Sequence, residues 1–293
     1  MTAERAAADM APATLYETLA SVLAADMADR EVGFTGLLTG EAAAVWGTGI
    51  PVVAMELARR THAPDLTMLL AGCYHNPDLS SLDRMPDCEH DAQLRDLPAE
   101  ARTRDYPGQW ALKRGDVTFG FSSAVQVDRV GNINSVCIGP HDRPKVRLVG
   151  PILQPEHMAC FRREYVMMPR HEARVFVDKV DFVSGVGFPG GRRGREALGI
   201  EWGGPRFVMT PLCIFDFDED AGRMKVRSIH AGVDEETLRA ATGFDLGPLD
   251  DVPVTPAPGP DTLNLIREII DRRGLLLPKP GGADEAPKTG VVK

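Results

Sequence analysis

Residues 42–60 read Ala42-Ala43-Ala44-Val45-Trp46, then Gly47-Thr48-Gly49-Ile50-Pro51, then Val52 through to Arg59-Arg60. A short apolar run, a glycine-broken turn and a stretch of helical character predict strand, turn and helix, the opening unit of an α/β fold. Upstream, Leu15, Leu19, Val22, Leu23 and Met27 recur at helical spacing over residues 14–28, with Thr14 or Pro12 near the start. Downstream, residues 66–71 form a second apolar run of strand length. Strand-like runs recur at 117–121, 135–138, 146–149, 165–168, 174–180, 206–210 and 224–229, with Gly, Pro, Asn or Asp in each gap. Residues 234–241 and 262–273 read as closing helices, the second carrying Leu263, Ile266, Ile269 and Ile270 on one stripe. The pattern predicts one α/β domain over residues 14–275, between a flexible start (1–13) and a disordered tail (276–293).

Composition narrows the function. Among 293 residues, 33 basic side chains stand against 42 acidic ones, a formal charge of −9. Nucleic-acid binding needs a basic footprint and is not expected. An anionic ligand must be met locally, by arginines or by backbone N–H groups. Five scattered cysteines (Cys73, Cys88, Cys137, Cys160 and Cys213) form no CxxC pair, so neither a zinc site nor a disulfide framework is expected. No stretch has the uninterrupted apolar length of a membrane span, and the start lacks the pattern of a secretory signal. The expected compartment is a reducing cytoplasm.

Residues 74–110 break the alternation. They are polar and Pro-punctuated (Asn76-Pro77-Asp78, Met85-Pro86-Asp87, Tyr106-Pro107-Gly108) and read as a long active-site or interface excursion. Within it Asp87-Cys88-Glu89-His90-Asp91 has the residue types of a metal cluster, but it sits in a polar loop without a second ligand pair, and a solvated loop is the expectation. His62 is expected to pack or cap.

Two clusters offer ligand-binding groups. Gly47 and Gly49, flanking Thr48, would let N–H groups approach a substrate at a helix start, or would only form a tight turn. Gln126, Asp128, Asn132 and Asn134 gather donors and acceptors around Gly131. They suit either a substrate-orienting site or a hairpin turn held by Asx hydrogen bonds.

Four segments, in this order, carry a resemblance. They are Gly47–Pro51 with Ala63-Pro64-Asp65-Leu66; Gln126-Val127-Asp128-Arg129-Val130-Gly131-Asn132-Ile133-Asn134 with Pro144-Lys145-Val146; Arg174 to Phe182; and Phe215-Asp216-Phe217 through Ser228-Ile229-His230-Ala231-Gly232 to Thr242-Gly243-Phe244. Together they resemble the β subunit of the family I CoA-transferases, the glutaconate type in particular. The resemblance implies an open, mostly parallel sheet of the NagB/RpiA/CoA-transferase-like type. It also implies an α subunit partner in an α2β2 or larger assembly, and a coenzyme A thioester as substrate with no permanently bound cofactor. Gly47, Thr48, Gly49, Gln126, Asp128, Asn132 and Asn134 would then lie at the acyl-CoA site.

Two departures bear on chemistry. The resembled family attacks the thioester with a glutamate shortly after its Ala-Pro-Asp-Leu element; counting from Leu66, that position falls on Ala71, or on Leu70 with a one-residue shift. Its Gly-x-Gly-Gly-Ala turn, whose N–H groups can serve an oxyanion, reads Gly150-Pro151-Ile152-Leu153-Gln154 here. Val180-Asp181-Phe182-Val183-Ser184-Gly185-Val186-Gly187 is similar to the steroid ring-opening CoA-ester hydrolases, which lack the β glutamate and use an α-subunit carboxylate. Three readings stay open: transfer with a replaced nucleophile, hydrolysis driven from the α subunit, and a non-catalytic β chain. Tyr74 and His75, with Cys73, are candidates to replace the lost group, and Arg192, Arg193 and Arg195 to meet CoA phosphates.

Overall fold

The computed structural model describes residues 10–38, 41–86, 88–103 and 115–281. Asp87 and Tyr106-Pro107-Gly108 lie outside them, as do most of the expected flexible start and the end of the expected tail. Helix α1 (Leu15–Asp26) leads to strand β1 (Val32–Thr35), and a helix then runs from α2 (Glu41–Ala44) through a π-helical turn (Val45–Gly49) into α3 (Ile50–Thr61). Strands β2 (Thr67–Leu70), β3 (Tyr74–Pro77), β4 (Ala99–Arg102), β5 (Phe119–Ser122), β6 (Gln126–Asp128), β7 (Ile133–Asn134), β8 (Cys137–Ile138) and β9 (Val146–Arg147) follow. Helix α4 (Gln154–Cys160), strands β10 (Arg163–Met167) and β11 (Phe176–Val177), helix α5 (Gly191–Ala197) and strands β12 (Pro205–Met209), β13 (Cys213–Asp218) and β14 (Arg223–Ile229) come next. Helices α6 (Glu235–Ala240) and α7 (Pro260–Asn264) close the chain, α7 passing into a π-helical turn, Leu265–Ile270.

These elements group into two compact units, one of residues up to 31, 35–102 and 256 onward, the other of 32–34 and 103–255. In the first, a capping box starts α1: the Thr14 hydroxyl accepts from Glu17 N–H while the Glu17 carboxylate accepts from Thr14 N–H. Glu17 also pairs with Arg267 at 2.6 Å, and Arg267 donates to the carbonyls of Ala11 and Pro12, tying the last helix to the first. The buried stripe Leu19, Leu23 and Met27 faces a core that includes Val53, Leu57 and Ala58 of α3.

The opening strand is corrected. Residues 42–46 are helical, and Gly47-Thr48-Gly49 lie inside a helix that has already started at Glu41. Alanine is the best helix former, so an Ala-rich run takes the helical alternative when another strand is available. That strand is β1, whose Val32-Gly33-Phe34 gave too short a pattern to mark it.

The excursion is corrected in part. It contains β3, paired antiparallel with both β2 and β4, and two 3₁₀ turns (Leu79–Ser81 and Ala92–Asp96), with Leu82, Leu94 and Leu97 buried beneath them. The start of the expected tail is also held. Asp271 accepts the N–H groups of Leu275, Leu276 and Leu277, and the last two side chains are buried.

The second unit is built on a sheet with strand order β14-β13-β12-β10-β5-β1. Pairs β1–β5, β5–β10 and β10–β12 are parallel, while β12–β13 and β13–β14 are antiparallel. The expected mostly parallel character thus belongs to the central strands. A smaller sheet, β11-β6-β7, joins β6 to β7 as an antiparallel hairpin and to β11 in parallel. Its core is apolar, with Val127, Ile133, Met158, Val166, Phe176, Val208 and Phe215 fully buried.

Candidate active site

The hairpin of β6 and β7 places four of the expected site residues together. Asp128 Oδ1 accepts from the N–H groups of Val130 and Asn132, and its Oδ2 accepts from the Asn132 amide at 3.0 Å. Burial pushes the Asp128 carboxyl up, and the hydrogen bonds it receives from Asn132, Val180 and Val130 oppose that shift. Asn132 Oδ1 accepts from Gly187 N–H at 2.9 Å, where a side chain on Gly187 would collide with the Val130–Asn132 backbone. This half of the cluster shapes the turn.

The other half builds a loop. Asn134 donates to the Gln126 side-chain oxygen and to the Cys137 carbonyl, both at 2.7 Å, and accepts from Val136 and Cys137 N–H. Gln126 in turn accepts from Asp181 N–H and donates to the Asp181 carboxylate, which also receives Gly139 N–H at 2.9 Å. All four side chains are buried, and their polar groups are engaged with one another, with neighbouring backbone and with the Asp181 carboxylate. They fix the course of residues 135–139.

That loop adjoins the carboxyl end of β5, the end at which open α/β sheets take ligands. Three segments converge there. Gln154, at the start of α4, donates to the Ser123 carbonyl at 2.6 Å and accepts from the Ser184 hydroxyl at 2.8 Å. Ser184 Oγ accepts from Ser135 N–H, and the Ser135 carbonyl accepts from Gly150 N–H. The loop leading into α4 is strained and apolar: Ile152 has φ +48°, a left-handed conformation unfavourable for a β-branched residue, and both Val149 and Ile152 stand exposed. Pro151 contributes no N–H.

Sequence reasoning missed the buried polar group beside this edge. Glu164 of β10 accepts from the Ser122 hydroxyl through a short hydrogen bond, and His157 Nδ1 of α4 lies 3.3 Å from the same carboxylate oxygen. The register could have signalled it: Gly120 pairs with Glu164 and Ser122 with Val166, which puts Ser122 and Glu164 on one face.

In the first unit, Ala71 follows β2 with φ +51° and Gly72 comes next at +69°, a sharp turn fixed by Ala71 N–H donating to the Thr35 carbonyl at 2.8 Å. Tyr74 and His75 begin β3, half-buried, with the Arg102 guanidinium 5.6 Å from the Tyr74 ring centroid. The helix-start reading of Gly47-Thr48-Gly49 is corrected. The Gly47 carbonyl accepts from the Thr35 hydroxyl, and the Thr48 hydroxyl accepts from Leu38 N–H and donates to the Gly36 carbonyl. A Cβ on Gly47 would strike Leu38 and one on Gly49 the Leu276 carbonyl, so both glycines permit close packing.

Arg195 is corrected as a phosphate ligand. It is fully buried and donates to four carbonyls, those of Val186, Gly187, Met158 and Trp202, at 2.6–2.8 Å. Burial, with a smaller contribution from the Arg192 charge, lowers its pKa to about 10. Arg192 is paired with Glu219. His62 bridges Thr61 and the Met27 carbonyl as a capping residue. Of the acidic cluster, Asp91 pairs with Arg84 at 2.8 Å. Among the described residues, no helix is long and apolar enough to cross a membrane, and no group of three or more His, Cys, Asp or Glu side chains could hold a metal ion.

No family model matches the chain. It is 31% identical to the β subunit of the 3-oxoadipate CoA-transferase of Pseudomonas knackmussii, over 81% of this chain and 90% of that one. It is 34% identical to the IpdB component of the cholesterol ring-cleaving hydrolase of Mycobacterium tuberculosis, over 78% and 86%. The crystal structure of glutaconate coenzyme A-transferase from Acidaminococcus fermentans superposes with a TM-score of 0.72 at 26% identity, covering 91% of this chain and 98% of that one. With matches of that extent on a mixed sheet of the same fold, the chain belongs to the family I CoA-transferase β subunits.

Proposed function

We propose that this chain is the β half of a two-subunit enzyme acting on an acyl-CoA thioester, and that it contributes no carboxylate nucleophile of its own. One feature supports the reading: counted from Leu66, the position of the transferase glutamate falls on Ala71, which offers only a methyl group at a turn whose backbone keeps a left-handed conformation that alanine disfavours. Neither Ala71 nor Leu70 can form an acyl anhydride. We assign the chemistry to water, activated by groups of this chain or by a carboxylate of the α subunit, rather than to a replacement nucleophile such as Cys73. Among the relatives one is named for ring-cleaving hydrolysis and another for CoA transfer, and the methyl side chain at position 71 favours the first. The thioester is a transient substrate, and no cofactor is bound permanently. A cytoplasmic location is part of this proposal, and the five free cysteines are compatible with it. Loss of Pro151 N–H from the loop before α4 supports a second reading, a β chain that only stabilises an active α subunit.

The test is co-expression with an α subunit, isolation of an α2β2 or larger complex, and assay against acetyl-, glutaryl- and cyclic 3-oxoacyl-CoA by product mass. Hydrolysis without an acceptor acid, and without a glutamyl adduct trapped on this chain by hydroxylamine, is expected. An adduct on Glu41, Glu56 or Glu89 would overturn the assignment of Ala71. Turnover by the α subunit alone at the rate of the complex would establish the second reading.

A further inference from the structure

Glu164 is wholly shielded from solvent, and one of its two oxygens is idle. Oε1 accepts from the Ser122 hydroxyl and lies 3.3 Å from His157 Nδ1, whereas Oε2 has no hydrogen-bond partner. The surroundings of Oε2 are closed: a Cβ added to Gly120 would stand 2.7 Å from it and 2.5 Å from the Phe161 ring. His157 cannot swing away, because its ring stacks on Phe161 at 4.4 Å and meets Phe34 edge-on at 5.0 Å. An acid in such a place does not serve stability. Its desolvation is poorly offset with one oxygen unpaired, and an apolar side chain of equal volume would be cheaper.

Position supplies the purpose. Ser122 is the last residue of β5, and the carbonyl of the next residue, Ser123, is held by Gln154 at the convergence of loops described above. We propose that Glu164, acting through the Ser122 hydroxyl, takes the proton from a water molecule that attacks a carbonyl carbon of the acyl-CoA substrate. The proposal rests on the hydrolytic reading of the function. In the step, water gives a proton to Ser122 Oγ as the Ser122 proton passes to Glu164 Oε1. The electron pair of the broken O–H bond forms the new bond to the carbonyl carbon. Glu164, now a neutral acid, returns the proton through Ser122 to the departing thiolate sulfur or carbanion. Ser122 is the catalytic residue, and Glu164 and His157 are positioning residues that act through it. His157, as the Nδ1–H tautomer, donates to the carboxylate and keeps Oε1 aimed at Ser122.

The test uses the αβ complex with Glu164→Gln and Ser122→Ala. Glutamine keeps the volume and an oxygen for Ser122 to donate to, and removes only the basicity. Each variant is expected to lower kcat by about a hundredfold or more in complex that still assembles, with KM within about threefold and the double variant no worse than either single one. Turnover of Glu164→Gln within about threefold of wild type would overturn the proposal. A second readout needs no turnover. Infrared difference spectra of the resting complex with ¹³C-labelled glutamate, wild type minus Glu164→Gln, should show an ionised carboxylate, and a protonated-carboxyl band there would also overturn it. A wild-type complex inert toward every thioester tried would defeat the functional reading, while the infrared result would still decide the state of Glu164.

Discussion

Acid should destabilise this protein through His171. The ring is buried, stacked on Phe176 at 4.1 Å, with Nδ1 2.8 Å from the Thr210 hydroxyl and Nε2 3.0 Å from the Thr242 hydroxyl. Burial, reinforced by neighbouring His230, lowers its pKa from 6.5 to about 3. Because the folded value is depressed for a base, the neutral ring contributes stability that is fully present above pH 6.5 and lost as the pH falls toward 3. Near pH 7.5 neither state binds a proton. Near pH 5 the unfolded chain binds almost one that the folded chain refuses, which removes about 2 kcal/mol. Urea unfolding of the complex at both pH values, for wild type and His171→Gln, should show about that much extra acid sensitivity in the wild type. The hydrogen bonds define the opposite outcome. Thr210 and Thr242 can donate their hydroxyl protons to the carbonyls of Cys213 and Leu238 instead, leaving acceptors on both sides of the ring. An imidazolium would then be satisfied, and equal acid sensitivity in the two proteins would refute the argument from burial.

Four further substitutions have definite outcomes. Arg195→Lys should lower stability by about 3 kcal/mol, since an ammonium cannot span four carbonyls placed around a planar guanidinium, and an unchanged melting temperature would contradict this. Thr14→Ala removes the hydroxyl half of the α1 capping box and should cost about 1 kcal/mol by urea unfolding. Ala71→Gly should stabilise by about 1 kcal/mol by relieving the left-handed alanine, measured as a higher melting temperature. Asn132→Ala strips a partner from Asp128 and from Gly187 N–H and should cost about 1–3 kcal/mol; turnover per assembled complex should stay within about threefold, because the side chain is spent on the turn.

Periodicity made the first helix and the strands near 66, 165, 206 and 224 legible, because each alternates or repeats over enough residues to fix its type. Two elements were illegible for definable reasons. Strand β1 offers only Val32, Phe34 and a glycine between charged and glycine-rich flanks, so the adjacent alanine run took its place in the reading. Strand β13 alternates Phe215, Asp216 and Phe217, and its outer acid is held by Lys225 and Arg227 of β14, a pairing visible only once the hairpin has formed. The excursion after β2 looked structureless because its buried leucines, 82, 94 and 97, are spaced by turns rather than by any helical or strand period.

The site was legible in the opposite sense from the fold. Residues close in sequence drew attention to Gln126, Asp128, Asn132 and Asn134, yet a hairpin brings such neighbours together first of all to satisfy one another. Their hydrogen bonds close within residues 126–139, a few backbone groups of 180–187 and the Asp181 carboxylate. The groups proposed to act on the substrate come from positions the chain does not need for its own turns. In a sheet with parallel strands those positions are a crossover apart: Ser122 and Glu164 are 42 residues distant and meet only because β5 and β10 run parallel with Gly120 opposite Glu164. No local pattern marks either residue. A serine ending one strand and a glutamate near the start of another each read as edge polarity until the register sets them on one face. Helix α4 then covers that face, bringing His157 to the same oxygen and Gln154 to the next carbonyl along β5. Helix placement thus sets the geometry of the acid and of the loop before it together, so a change at Glu164 should be felt at Ser122 before it is felt anywhere in the hairpin.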